Sequence, residues 1–286
     1  MKALPFKIPK GSTDTLIVQE DKEMVFYDKF HQHEEIQISC IILGEGSVIV
    51  GDAITDYQAG DILVFGSHVP HVLKSEPSGQ ESYMISVFFT KASFGADFFE
   101  LPEFDDFSSF FRNSLYGMKI ISEKETLKAL FVQLKEEQTK MGRFMIFLNV
   151  LSLINAADIE PISSFISKKM YSDNEGNRMA SVFQLVMDEF HREITLKEVA
   201  EVANMTPNAF CRYFKQRTNK TFFQFLTTIR VENVGRLLAK HKEMTIQEAS
   251  YHSGFNNLSN FNKKFKEIKG VTPSVFKKQL YDSHLL

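Results

Sequence analysis

Ile194 to Phe225 and Met244 to Phe276 align with each other at a shift of 50, rising to 51 after one inserted residue. Thr195 pairs with Thr245, Leu196 with Ile246, Glu198 with Glu248 and Ala200 with Ser250. Asn204 meets Gly254 and Met205 meets Phe255. Beyond the insertion Phe210 pairs with Phe261, Phe214 with Phe265, Lys215 with Lys266, Thr221 with Thr272 and Phe225 with Phe276. A repeat of that length is one supersecondary unit used twice. Each copy reads as helix, tight turn, helix, so the C-terminal third is predicted to hold two helix-turn-helix units. Binding to double-stranded DNA is the expectation that follows.

Local chemistry agrees with that reading. Thr195 with Glu198, and Thr245 with Glu248, are T-x-x-E segments that predict two capping boxes. Asn204 and Gly254 fall where each first helix must stop, and both residue types tolerate a left-handed turn. Thr206 is placed to cap the second helix of the first unit, with Pro207 at its first position, where a missing N–H costs nothing. Asn257 is the matching cap in the second unit. Phe210 and Phe214, like Phe261 and Phe265, are four apart and should face the core.

The opposite faces are polar. Asn208, Cys211, Arg212 and Lys215 form one stripe, and Ser259, Asn262, Lys263 and Lys266 form the other. Asn, Arg and Ser suit base edges in a major groove, and Lys suits guanine edges or phosphate. A solvated polar face is the bland alternative for such a stripe, but the repeat and the charge balance weigh against it. Residues 176–286 hold 17 basic and 10 acidic side chains, a net of +7, whereas residues 1–175 carry a net of −10. A basic module on an acidic carrier suits a polyanion. Its cations cluster at Arg212, Lys215, Arg217 and Lys220, and at Lys263, Lys264, Lys266 and Lys269, where phosphates would be met.

Gly254-Phe255, the run Phe261-Asn262-Lys263-Lys264-Phe265-Lys266, and Gly270-Val271-Thr272-Pro273 make residues 176–286 resemble the DNA-binding domain of the AraC/XylS family of bacterial transcription regulators. The resemblance implies seven helices, with one long helix, here Phe222 to Lys240, linking the two units. It implies recognition helices in successive major grooves, about 34 Å apart. By position the base readers would be Asn208, Cys211 and Arg212, then Ser259, Asn262 and Lys263. A small surface role for Cys211 is an equal alternative. The family's usual action is activation through RNA polymerase, with repression left open.

The N-terminal half is a different object. Ile36 to Leu43, Ser47 to Val50, Asp61 to Phe65 and Ser82 to Phe89 are β-rich runs punctuated by Gly44, Gly46, Gly51-Asp52 and Gly60-Asp61. Many short strands with glycine turns suggest a sandwich or barrel. His31-x-His33, Gln37 and His71 resemble the two motifs of a cupin, from His31 through Gly44 and from Gly60 through His71. Gln37 stands at the usual acid position, and Gly66 replaces the usual proline. The fold expectation is therefore α+β: a cupin-like β-barrel plus helical segment, then an all-α tandem helix-turn-helix domain. His31, His33, Gln37 and His71 are expected to line the pocket of a small-molecule effector. The same four could offer three imidazole nitrogens and an amide oxygen to a transition metal. The carboxylate missing at Gln37 speaks against it, so no metal and no cofactor are expected.

Further along, Asp97 to Phe111 is acidic and rich in phenylalanine. Glu123 to Lys140 and Phe144 to Ala156 read as helices joined by Met141-Gly142-Arg143. The second is apolar over most of its circumference, so it needs cover from a sensor core or from a homodimer partner. Helices here often make the dimer contact in the family, and a homodimer through residues 123–156 is expected. The division is then 1–95 for the sensing barrel, 96–171 for the helical dimerisation segment, 172–177 for a polar linker and 178–286 for the DNA-binding domain.

Composition bounds the rest. The chain has 28 Phe and no Trp, read as core packing rather than a cofactor box. Cys40 and Cys211 fall in different predicted domains, so an intrachain disulfide is not expected, which fits a reducing cytosol. Met1 to Asp14 lacks the apolar core of a signal peptide, and no stretch has the roughly 18 apolar residues of a membrane span. A cytoplasmic protein is the expectation. There is no nucleophile with a paired base, no Walker loop and no dinucleotide fingerprint, so an enzyme is not expected. Two alternatives remain: a cupin metalloenzyme fused to a DNA-binding domain, and an architectural DNA-binding protein without a ligand.

Overall fold

A computed structural model of the chain describes residues 15–24, 26, 30–75, 81–164, 166 and 173–282. The chain divides into two compact units, Met1–Asn177 and Arg178–Leu286.

The first unit has two sheets. Strands β1 (Ile17–Glu23), β2 (Ile36–Leu43), β5 (Ile62–Phe65), β7 (Ser82–Phe89), β8 (Met118–Ile120) and β9 (Ile159–Pro161) make a six-stranded sheet in the order β1-β7-β2-β5-β8-β9. Strands β3 (Glu45–Val50), β4 (Ala53–Gln58) and β6 (His71–Ser75) make a second sheet in the order β4-β3-β6. All named pairs are antiparallel.

Side-chain alternation sorts these strands into layers. Ile36, Ile38 and Cys40 of β2, Ile62 and Val64 of β5, and Ile85, Val87 and Phe89 of β7 share one core with helices α2 (Lys124–Glu136) and α3 (Lys140–Ala156). Leu127, Phe131 and Leu134 enter from α2, and Phe147, Val150, Leu151 and Ile154 from α3. On the other face Ile41, Leu63, Phe65 and Met84 pack with Val48, Val50, Tyr57 and Leu73 of the small sheet. The large sheet is thus covered on both faces, which is why β2 reads as a nearly unbroken apolar run.

The expected cupin-like barrel is not formed. Each end of each sheet, β1 and β9 in one and β4 and β6 in the other, has a single strand neighbour, so neither sheet closes on itself. The alternating pattern fixed which residues face inward. It could not show that β8 and β9, three residues each, extend the open side of the sheet beyond β5. Those two strands come from the region read as a helical segment.

Two short 3-10 turns (Phe98–Glu100 and Pro102–Phe107) and α1 (Ser108–Ser114) precede β8, and α2 and α3 run between β8 and β9. The join between α2 and α3 lies at Glu137–Thr139, not at Met141-Gly142-Arg143. Thr139 accepts from the Gly142 N–H and so starts α3 four residues earlier than the apolar pattern suggests.

Seven helices make up the rest of the described chain: α4 (Asp173–Glu189), α5 (Leu196–Val202), α6 (Pro207–Thr218), α7 (Phe222–Lys240), α8 (Ile246–His252), α9 (Leu258–Lys269) and α10 (Pro273–Asp282). Helix α4 takes in all but the first residue of the segment read as a linker; Ser172 lies outside the described residues, as does Met1 to Asp14. Helix α7 matches the predicted connecting helix and serves both units. Its Phe222 and Phe225 pack edge-on against Phe214, each with ring centroids 5.6 Å apart. Its Val231, Val234 and Leu238 pack with Ala249, Phe255, Phe261 and Phe265.

Candidate nucleic-acid interface and a buried histidine group

The two helix-turn-helix units share their local devices. Met205 donates to the Ala200 carbonyl at 2.8 Å, and Phe255 donates to the Ser250 carbonyl at 3.0 Å. Asn204 (φ 52°) and Gly254 (φ 84°) take the left-handed turn that separates the helices. Thr206 accepts from the Ala209 N–H, and Asn257 from the Asn260 N–H. Phe210, Phe214, Phe261 and Phe265 are fully buried.

One predicted capping box holds and the other is half made. Glu248 returns to the Thr245 N–H at 2.8 Å, completing the box of α8. In α5 Thr195 accepts from the Glu198 N–H, but the Glu198 carboxylate turns to Arg192, with Oε1 2.5 Å from the guanidinium. That hydrogen bond from Arg192 holds the Glu198 carboxyl below the usual range. A competing cation six residues upstream won the side chain.

The structure places Asn208, Cys211, Arg212 and Lys215 on the exposed side of α6, and Ser259, Asn262, Lys263 and Lys266 on the exposed side of α9. Gln216 and Asn260 are exposed beside them; the sequence reading, tied to single stripes, passed over both. The basic clusters are thinned. Arg217 is buried, with its guanidinium over the Tyr213 ring at 5.7 Å. Lys264 pairs with Glu267 at 2.7 Å, and Lys269 is ion-paired to Glu232 on α7. Lys215, Lys263 and Lys266 remain exposed along the two stripes. Cys211 is exposed as a free thiol; Cys40 is free too, and burial pushes its thiol up to about 12.

In the first unit the structure brings together His31, His33, Gln37 and His71. The stretch before β2 and the start of β6 are tied by two backbone bonds, His31 N–H to the His71 carbonyl (3.0 Å) and the reverse (2.9 Å). Phe65 of β5 stacks flat on His71 at 4.1 Å. Gln37 and Ser39 point into the layer between the sheets, where Gln37 Nε2 donates to Ser39 Oγ and Ser39 Oγ meets Ser86 Oγ, each at 2.8 Å. His33, Gln37 and His71 are buried and pack against one another rather than opening on solvent. Burial above all pushes His71 well below its ordinary pKa, with His31 and His33 adding to it. Burial also lowers His33, partly offset by hydrogen bonds to Gln37 and Glu35.

Elsewhere in this unit a cleft of about 740 Å³ is lined by Leu16, Val18, Phe94, Phe98, Met141 and Phe144, with Lys140 and Arg143. No helix among the described residues is long and apolar enough to cross a membrane.

Comparison with known proteins agrees with this division. Residues 199–279 match a helix-turn-helix domain model, and residues 16–89 match the model of the AraC-like ligand binding domain. Bacillus subtilis (strain 168) YdeC, an HTH-type transcriptional regulator, is 24% identical over 88% of this chain and 87% of its own length. The Msm operon regulatory protein of Streptococcus mutans is 20% identical over 86% of this chain and 85% of its own. The transcriptional activator RhrA of Rhizobium meliloti is 34% identical, over 34% of this chain and 32% of its own. Among solved structures, ToxT from Vibrio cholerae O395 is 15% identical, with a TM-score of 0.38 over 93% of this chain and 98% of its own.

Proposed function

We propose, for a chain that is a sequence-specific DNA-binding transcriptional regulator of the AraC helix-turn-helix type, that α6 and α9 read one face of the duplex and that the first unit controls when they do so. The chain is not an enzyme; its relatives over most of its length are regulators. One observation carries the reading. The exposed stripes are the same stripe used twice, Asn208 with Ser259, Cys211 with Asn262, Arg212 with Lys263 and Lys215 with Lys266. Two equivalent helices of this kind fit successive major grooves, one helical turn apart. Base contacts then come from Asn208, Arg212, Ser259, Asn262 and Lys263, and phosphate contacts from Lys215 and Lys266.

A small-molecule effector is the second part of the proposal. His33, Gln37 and His71 are buried, and the cleft beside β1 and α3 offers room for a ligand among the described residues. Its apolar walls with Lys140 and Arg143 suit an apolar molecule that carries an acid group. Binding there shifts the population of a DNA-competent state, and the chain acts as an activator that contacts RNA polymerase.

Selection of bound sequences from a random DNA pool, with the full chain, tests the first part. A motif of two blocks about 10 base pairs apart is the expected result. Salt-sensitive binding with no enriched motif, with and without candidate acids, would sink it. For the effector, a rise in melting temperature with a medium-chain carboxylate, lost in a Lys140→Ala and Arg143→Ala double variant, is expected. No shift with any apolar acid removes this ligand class.

A further inference from the structure

The two copies of the repeat differ in what stands ahead of the first helix. In the second copy Glu248 closes the capping box on Thr245, and Lys242 is exposed with its ammonium over the Tyr281 ring. At the shift of 50 the residue matching Lys242 is Arg192. Its guanidinium holds Glu198 of α5, at 2.5 and 3.1 Å, and Glu189 at the end of α4, at 2.9 Å. The Arg192 carbonyl is taken in turn by Arg230 of α7, whose Nη2 donates to it at 2.7 Å. Arg230 Nε donates to the Phe190 carbonyl at 2.8 Å. Carbonyls at a helix C-terminus lack partners within the helix, and the planar guanidinium fork can serve two of them at once. A run of polar contacts therefore leads from α7 through Arg230, Arg192 and Glu198 into α5.

The same guanidinium borders the second helix-turn-helix. A Cβ at Gly254 would stand 2.7 Å from the Phe190 carbonyl oxygen, 2.9 Å from Arg230 Nε and 2.9 Å from the His191 carbonyl oxygen. The turn between α8 and α9 thus lies directly on the loop ahead of α5, with Arg230 beside both. Three residues on, along the same face of α7, Asn233 donates to Ser253 Oγ at 2.9 Å. Glu232 is ion-paired to Lys269 at the end of α9. Arg230 belongs to neither exposed stripe, yet it touches the supports of both.

We propose that Arg230 is a positioning residue for DNA recognition: it fixes the angle between α6 and α9, and so sets how many base pairs the chain accepts between its two blocks. It does not choose the bases read in either block. The inference rests on the reading that both helices enter successive grooves. Each base pair turns the duplex by about 35° and advances it by about 3.4 Å, so a rigid pair of helices meets both blocks at one spacing only. A pair free to rock tolerates other spacings, but the second helix then gains less from the binding of the first.

The full chain is titrated onto the selected two-block duplex and onto versions with one base pair added or removed between the blocks. Wild type should lose about tenfold or more in affinity on both altered duplexes, because the two helices can no longer engage together. Arg230→Met should lose about tenfold on the parent duplex yet separate the three spacings by no more than about twofold, with base preferences inside each block unchanged. Arg192→Ala cuts the same run of contacts at an exposed side chain and should relax the spacing in the same direction. It guards against an Arg230→Met chain that does not fold. An Arg230→Met chain that melts cooperatively and keeps the full wild-type spacing penalty, whatever its affinity for the parent duplex, would overturn the proposal. Where Arg230→Met does not fold, the same result from Arg192→Ala would do so. A wild type indifferent to the added base pair would instead sink the two-groove reading, and the clamp with it, before any substitution is made.

Discussion

Lys269 shows how burial and pairing reassign a residue that the sequence marks only as a cation. It ends α9, where phosphate would be met, but its ammonium is held by Glu232. Lys266, three residues earlier, is exposed. Lys266→Ala should therefore weaken all DNA sequences alike and reduce the salt slope by about one, while Lys269→Ala should act mainly on folding. Arg212→Ala should instead cost about 1–3 kcal/mol at one base position and relax discrimination there. Binding measured across a salt series, on the selected motif and on single-base variants, separates these outcomes. Asp61 carries a prediction of another kind. It is buried, and burial pushes its carboxyl up, but Lys119 (2.6 Å), Lys124 (2.8 Å) and the Gln58 N–H outweigh that and hold it below the usual range. The stability it contributes is full above the ordinary carboxylate range, near pH 4, and is lost as pH falls through the lowered value. Asp61→Asn should cost about 2 kcal/mol at pH 7, less than a fully buried pair because both lysines are partly exposed. Urea melts from pH 7 to pH 3 should show the variant's deficit shrinking as the medium becomes acidic.

Helix α7 and the turn before α9 make opposite demands on glycine. Gly235 sits inside α7, where a Cβ would meet Phe276 at 3.5 Å, an ordinary contact. Gly235→Ala should stabilise the chain by about 0.5–1 kcal/mol through helix propensity alone. Gly254 has φ +84°, and a Cβ there would stand 2.7 Å from the Phe190 carbonyl oxygen. Gly254→Ala should cost more than about 2 kcal/mol, and thermal melts of the pair should move in opposite directions. The helical elements were legible because their signals are local: caps, the paired phenylalanines and the repeat place α5 to α9 within a residue or two. The strands β2 and β7 were legible from continuous apolar runs. Strands β1, β4 and β6 were not named, because β1 and β4 mix charge with apolar residues and β6 is five residues long. The absence of a barrel was beyond reach for a different reason. Closure depends on which strands become edges, and β8 and β9 carry three residues apiece. The histidine group was named residue by residue, but its inward orientation follows from the second sheet lying over β2, which no spacing reveals.

At the scale of the whole molecule, α3 buries Phe147, Val150, Leu151 and Ile154 but leaves Met141 and Met145 exposed. We propose a homodimer through residues 123–156, with that face as its contact. Met145→Glu should place a charge in the contact and shift sedimentation from dimer to monomer at micromolar concentration, with melting unchanged. A wild-type chain that stays monomeric with and without DNA would remove the dimer from the account.

The edge strand β9 bears on distance rather than on stability. It is held to β8 by three residue pairs, and the chain just beyond it by the Ile162 and Ser163 N–H groups and by Ser163 Oγ on Asp52 at 2.6 Å. Strand β8 in turn rests on β5, the strand whose Phe65 stacks on His71. Peeling β9 away would leave the other five strands paired and would release about 10 Å of extended chain. In the proposed homodimer the local concentration of a tethered module falls as its leash grows, so freeing the three residues of β9 would change how often a second DNA-binding unit finds its half-site beside the first.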